Sequence, residues 1–204
     1  MSEKQRGILL IICGPSGVGK SSLCGRLLNE FDGLKLSVSV TTRAPRGAEK
    51  DGQDYHFVDM ARFEAMVAEG RFAEHALVHS NRYGTLKSSV EEILSAGDDM
   101  LFDIDYQGSN QLRETFPQAN SVLLVPPSMV ALERRLRARK TDEEGVIVER
   151  LAAARMEMAQ FGSFDYVVVH EDIEQAYTKL KSVYIALSQR TSRQRPFVES
   201  LLKA

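Results

Sequence analysis

Residues 7–21 read GILLIICGPSGVGKS, and their two halves ask for two different structures. Residues 7–13 are an unbroken apolar run of strand length, the pattern of a strand buried on both faces. Gly14-Pro15-Ser16-Gly17-Val18-Gly19-Lys20-Ser21 then matches G-x-x-x-x-G-K-[ST] at every fixed position. Residues 18–31 follow with Leu23, Leu27 and Leu28 on one side, which predicts a helix. A strand, a glycine-rich turn and a helix in that order form a phosphate loop. Glycines let successive backbone N–H groups turn inward onto phosphate oxygens. The helix start adds its partial positive charge. Lys20 supplies a full charge to the β- and γ-phosphates of a nucleotide, and the Ser21 hydroxyl is placed to ligate Mg²⁺.

The same alternation repeats outward from this unit. Residues 99–105, 121–125 and 166–170 read as strands, each followed by a helical pattern at 107–116, 128–138 and 173–191. Apolar strands alternating with helices predict a parallel α/β sheet covered on both faces. The middle third breaks the rhythm. Residues 36–42, 55–58 and 72–79 read as short strands, with a helix at 59–69 capped by Asp59. The expected organisation is therefore a core of 1–36 and 86–204 with a small α+β lobe inserted at 37–85. The charged stretch 137–145, RARKTDEEG, is either a solvated connection or a lid over a phosphate site.

Composition narrows the function class. The 204 residues carry 26 Lys+Arg against 28 Asp+Glu, a formal net charge of -2. That balance argues against a general nucleic-acid or membrane-surface binder. Cys13 and Cys24 have no metal-ligand spacing and read as buried, reduced thiols. The opening residues MSEKQRG are polar, no secretory apolar segment follows, and residues 8–13 are too short to span a bilayer. The expectation is a cytoplasmic protein with no obligatory protein partner.

Two further groups bear on chemistry. Asp103 and Asp105 end the strand MLFDID with period-two spacing, where ligands bind in open α/β sheets. Asp103 can hold a magnesium water shell and Asp105 can face a second substrate; each can also simply cap the next helix. Residues 39–46, SVTTRAPR, place Arg43 and Arg46 around a proline, a guanidinium clamp for a second phosphate group. Tyr55 and Tyr83 can each add a phenolic hydrogen bond.

The segments GPSGVGKSS, SVSVTTRAPR, DGQDYHF, FAEHA, RYGT, LFDIDYQG and LLVPPS, in this order, resemble the guanylate kinases along nearly the whole chain. The resemblance implies magnesium-dependent transfer of the ATP γ-phosphoryl group to GMP, and to dGMP, in purine nucleotide metabolism. It implies ATP binding by Gly14, Pro15, Ser16, Gly17, Val18, Gly19, Lys20, Ser21 and Ser22, with Ser21 and Asp103 toward the metal. It puts Arg43, Arg46, Tyr55 and Tyr83 on the GMP phosphate, and Ser39, Glu74, Gly84, Thr85 and Asp105 around GMP. Arg135, Arg139 and Arg150 match the lid-region arginines and are expected to reach the transferring phosphoryl group with Lys20 and Arg43. Glu74 fits guanine for a chemical reason. Guanine offers two adjacent donors, and an ionised carboxylate accepts both.

The chain departs from the family pattern at Ala48 and Lys140, where glycine is common, and at His170, where asparagine is common. His56, His75 and His79 are given no role. Two other readings stand beside an active kinase: a domain of this shape that only holds phosphorylated peptides, and a kinase for another small phosphate.

Overall fold

The computed structural model describes residues 5–78, 80–138 and 143–203. The chain opens with strand β1 (Leu9–Cys13), fully buried along its length, and helix α1 (Lys20–Glu30). Strands β2 (Leu34–Leu36), β3 (Ser39–Thr41) and β4 (Tyr55–Phe57) follow, then α2 (Met60–Ala68), β5 (Phe72–Val78) and β6 (Asn81–Leu86). The second half alternates α3 (Lys87–Ser95), β7 (Asp99–Asp103), α4 (Tyr106–Thr115), β8 (Asn120–Val125), α5 (Met129–Ala138), α6 (Glu144–Met158) and β9 (Tyr166–Val169). It ends with α7 (Ile173–Ser188) and α8 (Thr191–Leu201).

The core is an α/β unit, as the alternation predicted. Five strands lie in the order β2-β7-β1-β8-β9, and every neighbouring pair is parallel. Parallel pairing requires crossovers, and the helices they contain cover both faces. One face buries Leu10, Ile12, Leu23 and Leu27 with Tyr177 and Leu180 of α7. The other buries Leu9, Ile11, Val90, Leu94, Phe102 and Leu112. This double cover aligns the carboxyl ends of β1 and β7, with Ile12 beside Asp103 in the register. The phosphate loop and the strand-end carboxylates therefore leave the sheet at the same edge.

A second sheet runs β4-β3-β6-β5, with its own small core of Val40, Phe63, Met66 and Phe72. Asp59 caps α2 by accepting from Arg62 N at 2.7 Å, as its position implied. Two expectations need correction. Residues 36–42 are not one strand. Leu34 is buried in the central sheet, Ser37 N still bonds Leu101 O at 2.9 Å, and only then does the chain cross into the second sheet at Ser39. The helix expected over 173–191 stops at Ser188, and a separate helix, α8, resumes at Thr191 with Pro196 inside it.

Strand β6 and helix α3 were not anticipated. β6 contains Gly84, whose place a Cβ would fill at 2.8 Å from Phe72, 2.9 Å from Glu74 O and 2.9 Å from His75. The glycine is what lets β5 and β6 press together at the register shift between Phe72 and Glu74.

The two sheets are joined through α4. Gln111 Oε1 accepts from His75 N and its Nε2 donates to His75 O, both at 3.0 Å, so one amide side chain pairs the edge of β5 as a neighbouring strand would. Thr115 Oγ1 adds a bond to Ala73 O at 3.1 Å. Gln111→Ala leaves two backbone groups of an edge strand unpaired. It should destabilise the fold by about 1–2 kcal/mol, read as a lower urea midpoint with an unchanged m-value.

Candidate active site

The loop between β1 and α1 folds as the motif requires. Gly14, Gly17 and Gly19 have φ of 146, 86 and 102 degrees. Two of them are also held by close approach: a Cβ at Gly14 would stand 2.4 Å from Leu124 O, and one at Gly19 would stand 2.5 Å from the His170 ring. His170 is buried at the end of β9 with its Nδ1 2.5 Å from Val18 O. A carbonyl only accepts, so Nδ1 carries the proton. Val18 itself is fully buried in the sheet core. Its side chain is a packing residue, and only its backbone can face a phosphate. The loop's outer side is thus clamped by core packing and by His170.

Lys20 Nζ donates to Gly14 O across the mouth of the loop. Ser21 Oγ lies 3.5 Å from Asp103 Oδ2. Burial pushes the Asp103 carboxyl above its usual range, while Lys20 and Ser21 pull it back. Asp105 does cap the next helix, accepting from Gly108 N at 2.8 Å, and it lines the cleft as well. The two readings of that residue are compatible.

Facing the loop is a polar chain on the second sheet. Ser39 Oγ and Thr85 Oγ1 are 3.3 Å apart, and Thr85 Oγ1 donates to Glu74 Oε1 at 2.7 Å. Glu74 is only 5% exposed, and burial holds its carboxyl above the usual range with Asp105 adding to the rise. Thr85 is fully buried and does not line the cleft; it orients Glu74 from below. Gly84 acts through strand packing rather than by facing the cleft.

Tyr55 and Tyr83 line the cleft with ring centroids 6.0 Å apart. Arg43 is buried beside them, 5.2 Å over the Tyr55 ring, and pairs with Glu49 Oε1 at 2.9 Å. Glu49 Oε2 also accepts from Arg46 N at 2.7 Å. Glu49 therefore shapes the hairpin that carries both arginines, and the sequence reading missed it. Its position three residues after Arg46 in a proline-bearing turn was the available signal. The Arg46 side chain is exposed.

One cleft of about 590 Å³ joins the loop to the second sheet, lined by Gly14 to Gly17 and Gly19 to Ser22, by Ser39, Tyr55, Glu74 and Tyr83, and by Asp103 and Asp105; Arg43 is not in its lining. Glu157 lines it too, a residue that sequence reading passed over. Its Oε1 accepts from Gly14 N at 3.2 Å, and burial raises its carboxyl above the usual range against the pull of Lys20. The signal was its place seven residues after Arg150, on the same side of a helix.

The three lid-region arginines separate. Arg150 Nη1 is 3.4 Å from Ser16 Oγ in the loop. Arg135 instead donates to Val18 O at 3.4 Å, His170 O at 2.9 Å and Glu171 O at 3.2 Å, bracing the loop from behind. To reach a phosphoryl group it would have to leave those three carbonyls. Arg139 and Lys140 lie outside the described residues, as does His79. Ala48 is exposed in the hairpin loop. His75 packs against Phe63 and Phe72, away from the cleft lining. Both cysteines are buried, and burial pushes both thiols up, which keeps them inert.

Comparison with known proteins agrees with this geometry. A family model described as guanylate kinase matches residues 6–187. The chain is 43% identical over 197 residues to a protein named guanylate kinase from Alkalilimnicola ehrlichii, covering 97% of each. It is 50% identical over 183 residues to one from Anaeromyxobacter dehalogenans, covering 89% of this chain and 81% of that relative. Among solved structures, guanylate kinase from Anaplasma phagocytophilum superposes with a TM-score of 0.73 at 34% identity, covering 93% of this chain and 90% of that one.

Proposed function

The chain belongs to the guanylate kinase family, and from that premise we propose how its own residues divide the work of moving the ATP γ-phosphoryl group to GMP. The observation that carries the reading is the single cleft in which Lys20 and Glu74 face the same space. The loop is the donor half and the second sheet, residues 37–85, the acceptor half.

In the donor half, the backbone N–H groups from Ser16 to Gly19 and the start of α1 hold the ATP phosphates. Pro15, Ser16 and Ser22 shape the rim. Lys20 leaves Gly14 O for the β- and γ-oxygens and follows the phosphoryl group as it moves. The donor set suits magnesium: a hydroxyl and a carboxylate, hard oxygens 3.5 Å apart at the loop. Ser21 and Asp103 would hold Mg²⁺ there, and the ion would neutralise charge on the β- and γ-phosphates. Among the described residues no cluster of three or more His, Cys, Asp or Glu could hold a metal. That fits an ion bound mainly through the nucleotide.

In the acceptor half, Arg43, Arg46, Tyr55 and Tyr83 hold the GMP phosphate. Arg43 would exchange Glu49 for phosphate oxygens while keeping its place over Tyr55. Glu74 accepts the two guanine donors, with Thr85 behind it and Ser39 and Asp105 beside it in the cleft wall. The attacking GMP phosphate oxygen is already ionised, so positioning and charge stabilisation dominate and no general base is required. Arg139 and Arg150 would reach the phosphoryl group from the lid at about 137–150, and closure would exclude water.

No helix among the described residues is long and apolar enough to cross a membrane. The reading is completed by a cytoplasmic setting, with ATP and GMP as the partners.

The test is direct. Protein, ATP, Mg²⁺ and GMP should yield ADP in a GMP-dependent manner. In competition, GMP and dGMP should be preferred to IMP, AMP and UMP. The absence of GMP-dependent ADP, with tight phosphopeptide binding in its place, would favour a binding module. Equal rates with AMP or UMP would overturn the guanine assignment.

A further inference from the structure

Helix α6 meets the phosphate loop at two points. At its middle, Arg150 Nη1 lies 3.4 Å from Ser16 Oγ, in the outer part of the loop. Near its end, Glu157 Oε1 accepts from Gly14 N at 3.2 Å, where the loop leaves β1. The two residues are seven apart in one unbroken helix, two turns and roughly 10 Å along its axis, and so share a face. The helix lies along the loop from tip to root. It also begins at Glu144, just after the stretch that holds Arg139.

Glu157 is an odd residue for this place. A simple helix–loop contact is well served by an apolar side chain, as Leu132 and Leu136 serve Gly17 from α5. A carboxylate in the wall of a cleft that receives a polyphosphate repels its ligand. Taking it partly out of water costs more still unless it is hydrogen-bonded. Asp103 and Asp105 are already there and raise its carboxyl further. What the carboxylate supplies that an apolar group does not is an acceptor for the Gly14 N–H.

We propose that Glu157 is a positioning residue: by holding the Gly14 N–H it fixes the root of the phosphate loop to α6, so that Arg150 keeps a set distance from Lys20 during phosphoryl transfer. It acts through Gly14 and through the helix, and touches neither reacting oxygen. The inference rests on the reading of Arg150 as a phosphoryl-facing residue. Its consequences fall on the chemical step. Apart from Asp105 at the start of α4, the GMP contacts lie on the second sheet and its connections and are not held by α6.

The experiment is steady-state kinetics with ATP, Mg²⁺ and GMP on Glu157→Ala, Glu157→Gln, Arg150→Ala and the Glu157→Ala/Arg150→Ala double variant, each checked by thermal melt. Glu157→Ala should lower kcat by about 10–100-fold, the scale expected of a small misplacement of reacting groups. The KM for GMP should stay within about two-fold, since uniform binding is untouched. Glu157→Gln keeps an acceptor for Gly14 N–H and should recover most of the loss. In the double variant the two effects should overlap rather than multiply, because both remove one alignment. A near-parental kcat in Glu157→Ala, beside an impaired Arg150→Ala, would overturn the proposal and leave the Arg150 reading standing. Equal losses in the Ala and Gln variants, or fully multiplicative effects in the double, would also overturn it. A parental kcat in Arg150→Ala would remove the Arg150 reading itself.

Discussion

Lys20→Ala should cut GMP-dependent ADP formation on the order of 10³-fold, the scale of removing a preorganised charge from a phosphoryl-transfer site. The folded state should survive the change. Lys20 is the first residue of α1, half-buried at the cleft rather than in the core, and its charge is spent on Gly14 O within its own loop. Truncation therefore removes no core packing. It does change the electrostatics around it. Lys20 pulls down the carboxyl groups of both Asp103 and Glu157, each of which burial pushes up. Without the lysine that pull is lost and both rise further. The main loss is the charge that follows the phosphoryl group. Adding Mg²⁺ should not restore the rate, because the missing group is the mobile ammonium. Coupled ADP release with a thermal melt checks this. A variant that keeps more than about a tenth of the parental rate would refute the role given to Lys20.

How much of this was legible in the sequence depends on how local the cause is. The phosphate loop was legible because the chemistry needs certain residue types at fixed spacing, and Gly14, Gly19, Lys20 and Ser21 supply them. The parallel sheet was legible because strands covered on both faces leave no alternation, as in residues 9–13. The cap at Asp59 was legible because a cap is local. β6 was not, since Arg82, Tyr83, Gly84 and Thr85 have no strand periodicity, and Gly84 makes sense only once Phe72 and Glu74 of β5 lie against it. The break after Ser188 was missed because apolar periodicity alone does not show where a helix ends. At the site, residue types were readable but allegiances were not. Arg135 and Arg150 look equivalent in the sequence. One is bound to carbonyls behind the loop and the other stands at its tip, a difference set by how α5 and α6 pack. Glu49 and Glu157 left only a spacing signal, because each acts on a backbone or side chain that tertiary structure brings to it.

Glu74→Gln should reverse the base preference of the acceptor half and make the empty protein more stable. The carboxylate offers two acceptors to the N1–H and N2 amino donors of guanine. An amide keeps one acceptor and turns a donor toward a donor, leaving a buried group unpaired at about 1–3 kcal/mol and losing a charge-assisted bond as well. The value of kcat/KM for GMP should fall by about 10²-fold, while the KM for ATP stays near the parental value. AMP should gain, because its N1 accepts and its N6 amino group donates, the pattern an amide can meet. Stability should move the other way. Thr85 Oγ1 donates to Glu74 Oε1, yet burial still leaves the folded carboxyl above its unfolded value. Between those two values the folded state binds more protons than the unfolded state, so its stability falls as pH rises through that window and remains lower above it. The amide does not titrate. The melting temperature of Glu74→Gln should therefore exceed that of the parent at pH 7, and the gap should close as pH is lowered below the carboxylate range. A gap that widens toward acid would contradict a desolvated Glu74. An unchanged preference for GMP would show that the base is read elsewhere. If both hold as argued, the strain of a buried acid at Glu74 is retained because only that acid matches the two donors of guanine.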